Sequence, residues 1–196
     1  MIPRQFQFAI VFLLLAILIL GIYIIQLRRA EEAGSQRQLA TASAIPPVAG
    51  RQEHIRMLVA YDEDQALRWR EADVFLPEDR GLRARAVLRA VLEQYLQTPS
   101  PHPLAKGADI KEVYLIKNDT LLVDTTEAFA DGHPSGILPE ELTLASLIET
   151  VSANVPGVNK VKFLVEGHER ETLAGHADLM SFYQTSAVHE LAREFE

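Results

Sequence analysis

The 196-residue chain contains no cysteine. This excludes disulfide frameworks, thiolate zinc sites, iron–sulfur ligation, a cysteine nucleophile and a lipid-modified cysteine. Basic side chains are also scarce: 19 Lys and Arg stand against 27 Asp and Glu, a net charge of −8. A dedicated nucleic-acid binder displays a basic face, so nucleic acid is not an expected partner. Glycine-rich phosphate loops are missing. The six histidines, His54, His102, His133, His168, His176 and His189, form no H-E-x-x-H or other spaced ligand pair. The nearest clusters, His168-Glu169 and His176 with Asp178, are isolated His–acid pairs that read as surface or turn residues. The sequence therefore calls for no metal and no cofactor.

What is present divides into two objects. Residues 1–29 hold 21 apolar residues and three arginines without an acid, and the remaining 167 residues carry 16 basic and 27 acidic side chains, a charge of −11. From Phe8 to Ile25, 18 residues run without a charge, roughly 27 Å as a helix. That exceeds the h-region of a signal peptide, about 7–15 residues, and predicts an uncleaved single transmembrane helix in an anchor of residues 1–29, with the membrane contacted through residues 8–25. Arg4 precedes the run and Arg28, Arg29 and Arg37 follow it, a small margin toward a cytoplasmic body. Residues 30–52, rich in Ala, Gln and Ser and closed by a Pro/Gly stretch, read as a linker.

In the body, Ile55 to Tyr61 and Leu67 to Leu76 flank a charged turn and predict a hairpin with an irregular second strand. Ala84, Val87, Leu88, Val91, Leu92 and Tyr95 recur at helical spacing after Asp79. Val113 to Ile116 and Thr120 to Val123 flank Lys117-Asn118-Asp119, a tight hairpin by composition. After a loop from Asp131 to Gly136, a second helix is expected with Pro139 at its first position and Leu144, Leu147, Ile148, Val151 and Val155 as its buried stripe. Val158 to Val165 returns as a strand, Leu173 to Tyr183 as a partial strand or turn, and Ser186 to Glu196 as a short helix. The expected fold is α+β, a two-layer sandwich ordered β-β-α-β-β-α-β, with two helices packed on one sheet and preceded by the transmembrane helix.

Ser135 beside His133 superficially suggests a nucleophile, but the spacing is not G-x-S-x-G and Pro134 favours a turn. Asp124, Thr125 and Thr126 follow a strand and read as side chains that hold the next turn through backbone amides, with Phe129 as a core plug beneath it. Thr143, Ser146 and Thr150 form a hydroxyl stripe on the second helix, which suits close approach of the first helix or of a neighbouring subunit. These seven residues form the candidate interaction surface, and no catalytic set is expected.

The run from Thr120 to Gly167 resembles the second half of a sporulation/germination GerMN domain. The resemblance rests on Asp124, Thr125, Thr126 and Phe129 after a strand, on Thr150 inside the following helix, and on Val161, Leu164, Val165 and Gly167 in the returning strand. Leu82 to Leu96 before a Thr-Pro break and Thr172 to Leu179 resemble the family's first helix and closing segment, so that the resemblance spans residues 54–183. It places a GerMN-like domain at 53–183 and a tail at 184–196. It also implies an extracytoplasmic protein tethered by a lipid or a membrane helix, with domains similar to ring-building motifs; that the protein is non-enzymatic is expected from the missing catalytic set. The chain departs from the best understood member in having one domain rather than two and no lipobox cysteine. The expectation is thus a single-pass protein of the cytoplasmic membrane whose outward domain assembles with envelope proteins or with itself, including into arcs or rings. The alternative is an extracytoplasmic module that takes a cell-wall or small-molecule ligand beside the Asp131–Leu138 loop.

Overall fold

The structure, a computed structural model, describes residues 50–117 and 119–196. The expected anchor of residues 1–29, with its 8–25 span, and the expected linker as far as residue 49 lie outside the described residues.

The body opens with a hairpin. β1 (Arg51–Tyr61) begins inside the last two residues of the expected linker and pairs antiparallel with β2 (Ala66–Leu76) along its whole length. The second strand is therefore regular, contrary to expectation. Its charged residues Arg68, Arg70, Glu71 and Asp73 stay exposed without breaking the ladder.

Asp79 caps α1 (Arg80–Leu96) by accepting the Leu82 amide at 2.9 Å. The helix buries all six residues of the expected apolar stripe.

β3 (Ile110–Ile116) and β4 (Thr120–Thr125) form the second hairpin. A short helix, α2 (Glu127–Asp131), stands where only an irregular run into a loop was expected. α3 (Ile137–Asn154) then crosses over to β5 (Lys160–Val165), which lies parallel to β4. Its N-cap is Gly136, so Pro139 is the third helical residue rather than the first. A Cβ on Gly136, whose φ is 156°, would meet Pro139 Cδ at 3.2 Å, and this close approach fixes the entry to the helix. β6 (Tyr183–Gln184) adds to β5, and α4 (Thr185–Ala192) packs on α3.

The expected single sheet is in fact two: the β1–β2 hairpin, and a four-stranded sheet ordered β3-β4-β5-β6. The reason lies on the outer edge of β1. There α3 and α1 supply side-chain oxygens where a further strand would have supplied carbonyls. α3 packs on β1 and α1, and α1 also reaches β2 and β3. One hydrophobic cluster joins the hairpin, both long helices and the sheet through Leu58, Leu88, Val123, Leu147 and Phe163.

Candidate functional site

The hydroxyl stripe of α3 faces inward. The Leu58 amide donates to Thr150 Oγ1 at 2.9 Å, and the Arg56 amide to Asn154 Oδ1 at 3.2 Å, while Asn154 Nδ2 returns a bond to the Arg56 carbonyl at 2.7 Å. The Ala60 amide donates to Tyr95 Oη at 2.9 Å, and that hydroxyl in turn donates to Ser146 Oγ at 2.8 Å. Three alternate amides of β1 are thus closed by side chains. Burial pushes the Tyr95 phenol above its ordinary value, against the lowering effect of its bonds to Ser146 and Ala60, so it stays protonated and can donate.

One turn earlier, Thr143 gathers two buried histidines. Its Oγ1 lies 2.5 Å from His102 Nε2, 2.7 Å from His133 Nε2 and 3.0 Å from the Pro139 carbonyl. His133 Nδ1 donates to the Pro134 carbonyl at 2.8 Å, and His102 Nδ1 faces Asp62 Oδ1 at 2.5 Å. A hydroxyl carries one proton, so it cannot donate to both Nε2 atoms. Burial lowers the pKa of His133, outweighing the raising effect of its bond to Pro134. Asp62, His102 and Thr143 share the residue types of a hydrolytic triad. However, His102 and Thr143 are both 0 % exposed, so no substrate reaches the hydroxyl.

The other expected site residues are also interior. Asp124 is buried and accepts the Gly167 amide at 2.6 Å, tying β4 to the turn after β5 rather than to the turn after itself. Thr125 donates to the Leu164 carbonyl at 2.8 Å. Thr126, half-buried, accepts the Asp109 amide at 3.0 Å and donates to the Gly107 carbonyl at 2.8 Å. Phe129 is the plug beneath α2, 1 % exposed. The expected interaction surface of Asp124, Thr125, Thr126, Phe129, Thr143, Ser146 and Thr150 is therefore corrected: six of the seven are buried. Thr150 closes an amide of β1 and Ser146 accepts from Tyr95, while Asp124 and Thr125 bond to the backbone in and after β5 and Thr143 faces two histidines.

Sequence reasoning missed the central carboxylate. Glu140 is 0 % exposed. Its Oε1 accepts the Gly136 amide at 3.1 Å and His176 Nδ1 at 2.9 Å, and its Oε2 accepts the amides of Ala174, His176 and Ala177 at 3.0, 3.0 and 2.8 Å. Burial pushes its pKa up, but these donors outweigh it and bring it down to about 2. The one available signal was an acid in the first turn of a helix whose glycine cap lacks a side chain. Buried Lys162 was missed as well. It donates to the Met180 carbonyl at 2.9 Å, pairs with Glu169 and sits 5.3 Å from the Phe182 ring centre.

Of the remaining histidines, His54 bridges Glu71 and Asp73 at 3.1 Å each, His189 meets Glu149 at 2.9 Å, and His168 Nδ1 donates to the Glu166 carbonyl at 2.7 Å. Among the described residues no group of three or more His, Cys, Asp or Glu is placed to hold a metal ion. Among the described residues, two of the cavities that open on the surface adjoin segments considered above. An apolar groove of about 460 Å³ runs between α3 and α4, floored by Leu144, Ile148 and Val188 and edged by Phe182 and Leu191. A polar one of about 400 Å³ lies beside the Asp131–Gly136 loop, between Ser135 and Arg170.

The expectation of a single-pass protein of the cytoplasmic membrane with an extracytoplasmic domain is corrected. Among the described residues no helix is long and apolar enough to cross a membrane.

The chain is similar to several solved structures. One is a Clostridium perfringens protein described as a lipoprotein, 18 % identical with a TM-score of 0.47, covering 71 % of this chain and 91 % of that one. The tandem GerMN domains of the sporulation protein GerM from Bacillus subtilis match at 16 % identity and a TM-score of 0.50, covering 67 % of this chain and 45 % of that one. The first GerMN domain of the same protein matches at 17 % and 0.46, covering 65 % and 93 %. No curated protein matches the chain. The family model described as "Germane: Sporulation and spore germination" matches residues 60–171. That match covers more than half of the chain, and the fold agrees with the tandem GerMN structure: the chain carries a GerMN-like domain and belongs to the Germane family of sporulation and spore germination.

Proposed function

We propose that the GerMN-like domain is a non-enzymatic assembly module that binds protein surfaces, with self-association into arcs or rings as one form of that assembly. The observation that carries this reading is the apolar groove between α3 and α4, where Phe182 and Leu191 remain 49 % and 38 % exposed. Exposed apolar patches of this kind mark interaction sites. The sealed Asp62–His102–Thr143 set supports the same reading, because the residue types of a hydrolase are present but inaccessible.

The alternative, a small ligand held beside the Asp131–Leu138 loop, has the polar cavity in its favour. The polar groups there are already engaged: Ser135 donates to the Ala174 carbonyl at 2.9 Å, and Arg170 pairs with Asp131 and donates to the Thr172 carbonyl at 3.0 Å. A site whose donors are satisfied internally has little left to orient a ligand.

Sedimentation and crosslinking of the full-length protein test the assembly reading. Self-association, or crosslinks to a defined second protein, that weaken in Phe182→Glu and Leu191→Glu are expected. A protein that stays monomeric at high concentration and crosslinks to nothing overturns it.

A further inference from the structure

The two edges of the β1–β2 hairpin are treated differently. On β1, the outward amides of Arg56, Leu58 and Ala60 are closed by Asn154, Thr150 and Tyr95. These residues lie opposite Glu71, Trp69 and Leu67. In an antiparallel ladder, paired residues whose amides point away from each other alternate with hydrogen-bonded pairs. The amides of Leu67, Trp69, Glu71, Asp73 and Phe75 therefore all point outward from β2. Leu67 donates to the Phe195 carbonyl at 2.8 Å and Trp69 Nε1 to Glu196 Oε1 at 3.1 Å, so this edge already takes one backbone bond from outside the hairpin. Among the described residues, the next four outward amides make no hydrogen bond. They span roughly 20 Å of strand, and the edge stays open to solvent, with Phe75 70 % exposed.

The side chains select what can pair there. Glu71 and Asp73 project on one face with Trp69 and Phe75, and Arg68 and Arg70 on the other with Ala72 and Val74. Within the hairpin these charges have exposed partners that an added strand would compete with: His54 bridges the two acids, Arg68 pairs with Asp64 at 2.5 Å and Arg70 donates to the Tyr61 hydroxyl at 3.4 Å. A second copy fits poorly. Only outward-facing residues can share a rung, so an antiparallel two-fold centred on residue 70, 71, 72 or 73 sets Arg70 against Arg70, Glu71 against Glu71, Glu71 against Asp73 or Asp73 against Asp73. Like charges directly opposite each other destabilise a ladder.

We propose that the outer edge of β2, from Arg68 to Phe75, is a docking site for an extended segment of a partner protein, which adds as a third strand of the hairpin. That segment carries basic residues opposite Glu71 and Asp73 and acidic residues opposite Arg68 and Arg70. Backbone bonds give such strand addition its affinity and the alternating side chains give it specificity. The inference rests on the assembly reading and names the chemistry of one partner.

The test uses the full-length, isotopically labelled protein and the peptide Ile-Val-Lys-Val-Lys-Glu-Thr-Glu, whose first residue falls opposite Phe75 and last opposite Arg68. The expected result is shifted, exchange-protected amides at Trp69, Glu71, Asp73 and Phe75. The charge-reversed peptide Ile-Val-Glu-Val-Glu-Lys-Thr-Lys is expected to bind about tenfold more weakly. In the E71K/D73K variant that preference disappears, because each peptide then meets two matched and two opposed charges. Equal binding of both peptides to the unaltered protein, shifts confined to other elements, or no binding overturns the proposal. Sedimentation in parallel separates the two readings: self-association that persists without peptide binding sinks the strand-addition site and leaves the assembly reading standing.

Discussion

The amide of Leu58 on β1 donates to the hydroxyl of Thr150 on α3 at 2.9 Å, and both residues are 0 % exposed. This bond does for the edge of β1 what a neighbouring strand does elsewhere. Thr150→Val keeps the shape and removes the acceptor, leaving a buried amide unpaired at a cost of about 1–3 kcal/mol. Thr150→Ser keeps the acceptor and is expected to cost about 1 kcal/mol for the lost methyl. Urea unfolding of the full-length protein measures both. If the valine variant is as stable as the unaltered chain, the edge is not held this way.

Glu140 links stability to acid. Its pKa falls to about 2 in the folded protein from an ordinary 4.5, because five donors outweigh its burial. A carboxylate lowered on folding contributes stability that is fully present above its unfolded value and is lost as pH falls through the folded one. The contribution, about 3 kcal/mol, is therefore complete above pH 4.5 and drains away toward pH 2. Glu140→Gln should destabilise the protein by that order at pH 7 and narrow its difference from the unaltered chain below pH 4.5. It should also speed amide exchange at Ala174, His176 and Ala177. A gap that stays constant from pH 7 to 3 contradicts this account.

The residues that were legible in the sequence and those that were not differ in what their signals depend on. The stripe from Ala84 to Tyr95 was readable because one helix face is buried and the period of the pattern reports it directly. The stripe on α3 was readable only in part. Residues 142–151 are buried on nearly every side, so the stripe of Thr143, Ser146 and Thr150 pointed to close approach of the first helix or a subunit, and it meets α1 through Tyr95 but also the hairpin and two histidines. The split into two sheets left no local trace, because it depends on Asn154 and Arg56 meeting across 98 residues. Glu140 was visible as a first-turn acid, while the loop that folds over it returns more than thirty residues later.

His54 offers a titration of the opposite sign. Its hydrogen bonds to Asp73, and next to Glu71, raise its pKa above 6.5 and outweigh the lowering effect of desolvation. A histidine raised on folding contributes stability that is fully present below pH 6.5 and is lost as pH rises through its folded value. His189 is raised in the same way by Glu149, so bulk stability cannot separate the two. Resonance-resolved titration can: His54 should titrate above an unfolded reference and return toward it in Asp73→Asn, while His189 stays unchanged. A His54 midpoint indifferent to Asp73 removes the bridge as its cause.

Thr143→Val tests the interior network. The substitution removes the hydroxyl that faces both His102 and His133 at Nε2, leaving two buried ring nitrogens without a partner. The expected loss lies at the upper end of about 1–3 kcal/mol per stranded group, larger than for Thr150→Val, where one amide is stranded. Because burial lowers the pKa of His133, its own contribution is complete above pH 6.5 and is lost as pH falls below that value. Replacing His133 by Gln should therefore flatten the stability profile on the acid side of pH 6.5 while leaving the Glu140 transition below pH 4.5 in place. Denaturation curves collected at steps between pH 8 and 3 resolve the two windows. A His133→Gln profile parallel to that of the unaltered chain across pH 6.5 shows that the imidazole is not held neutral by the fold.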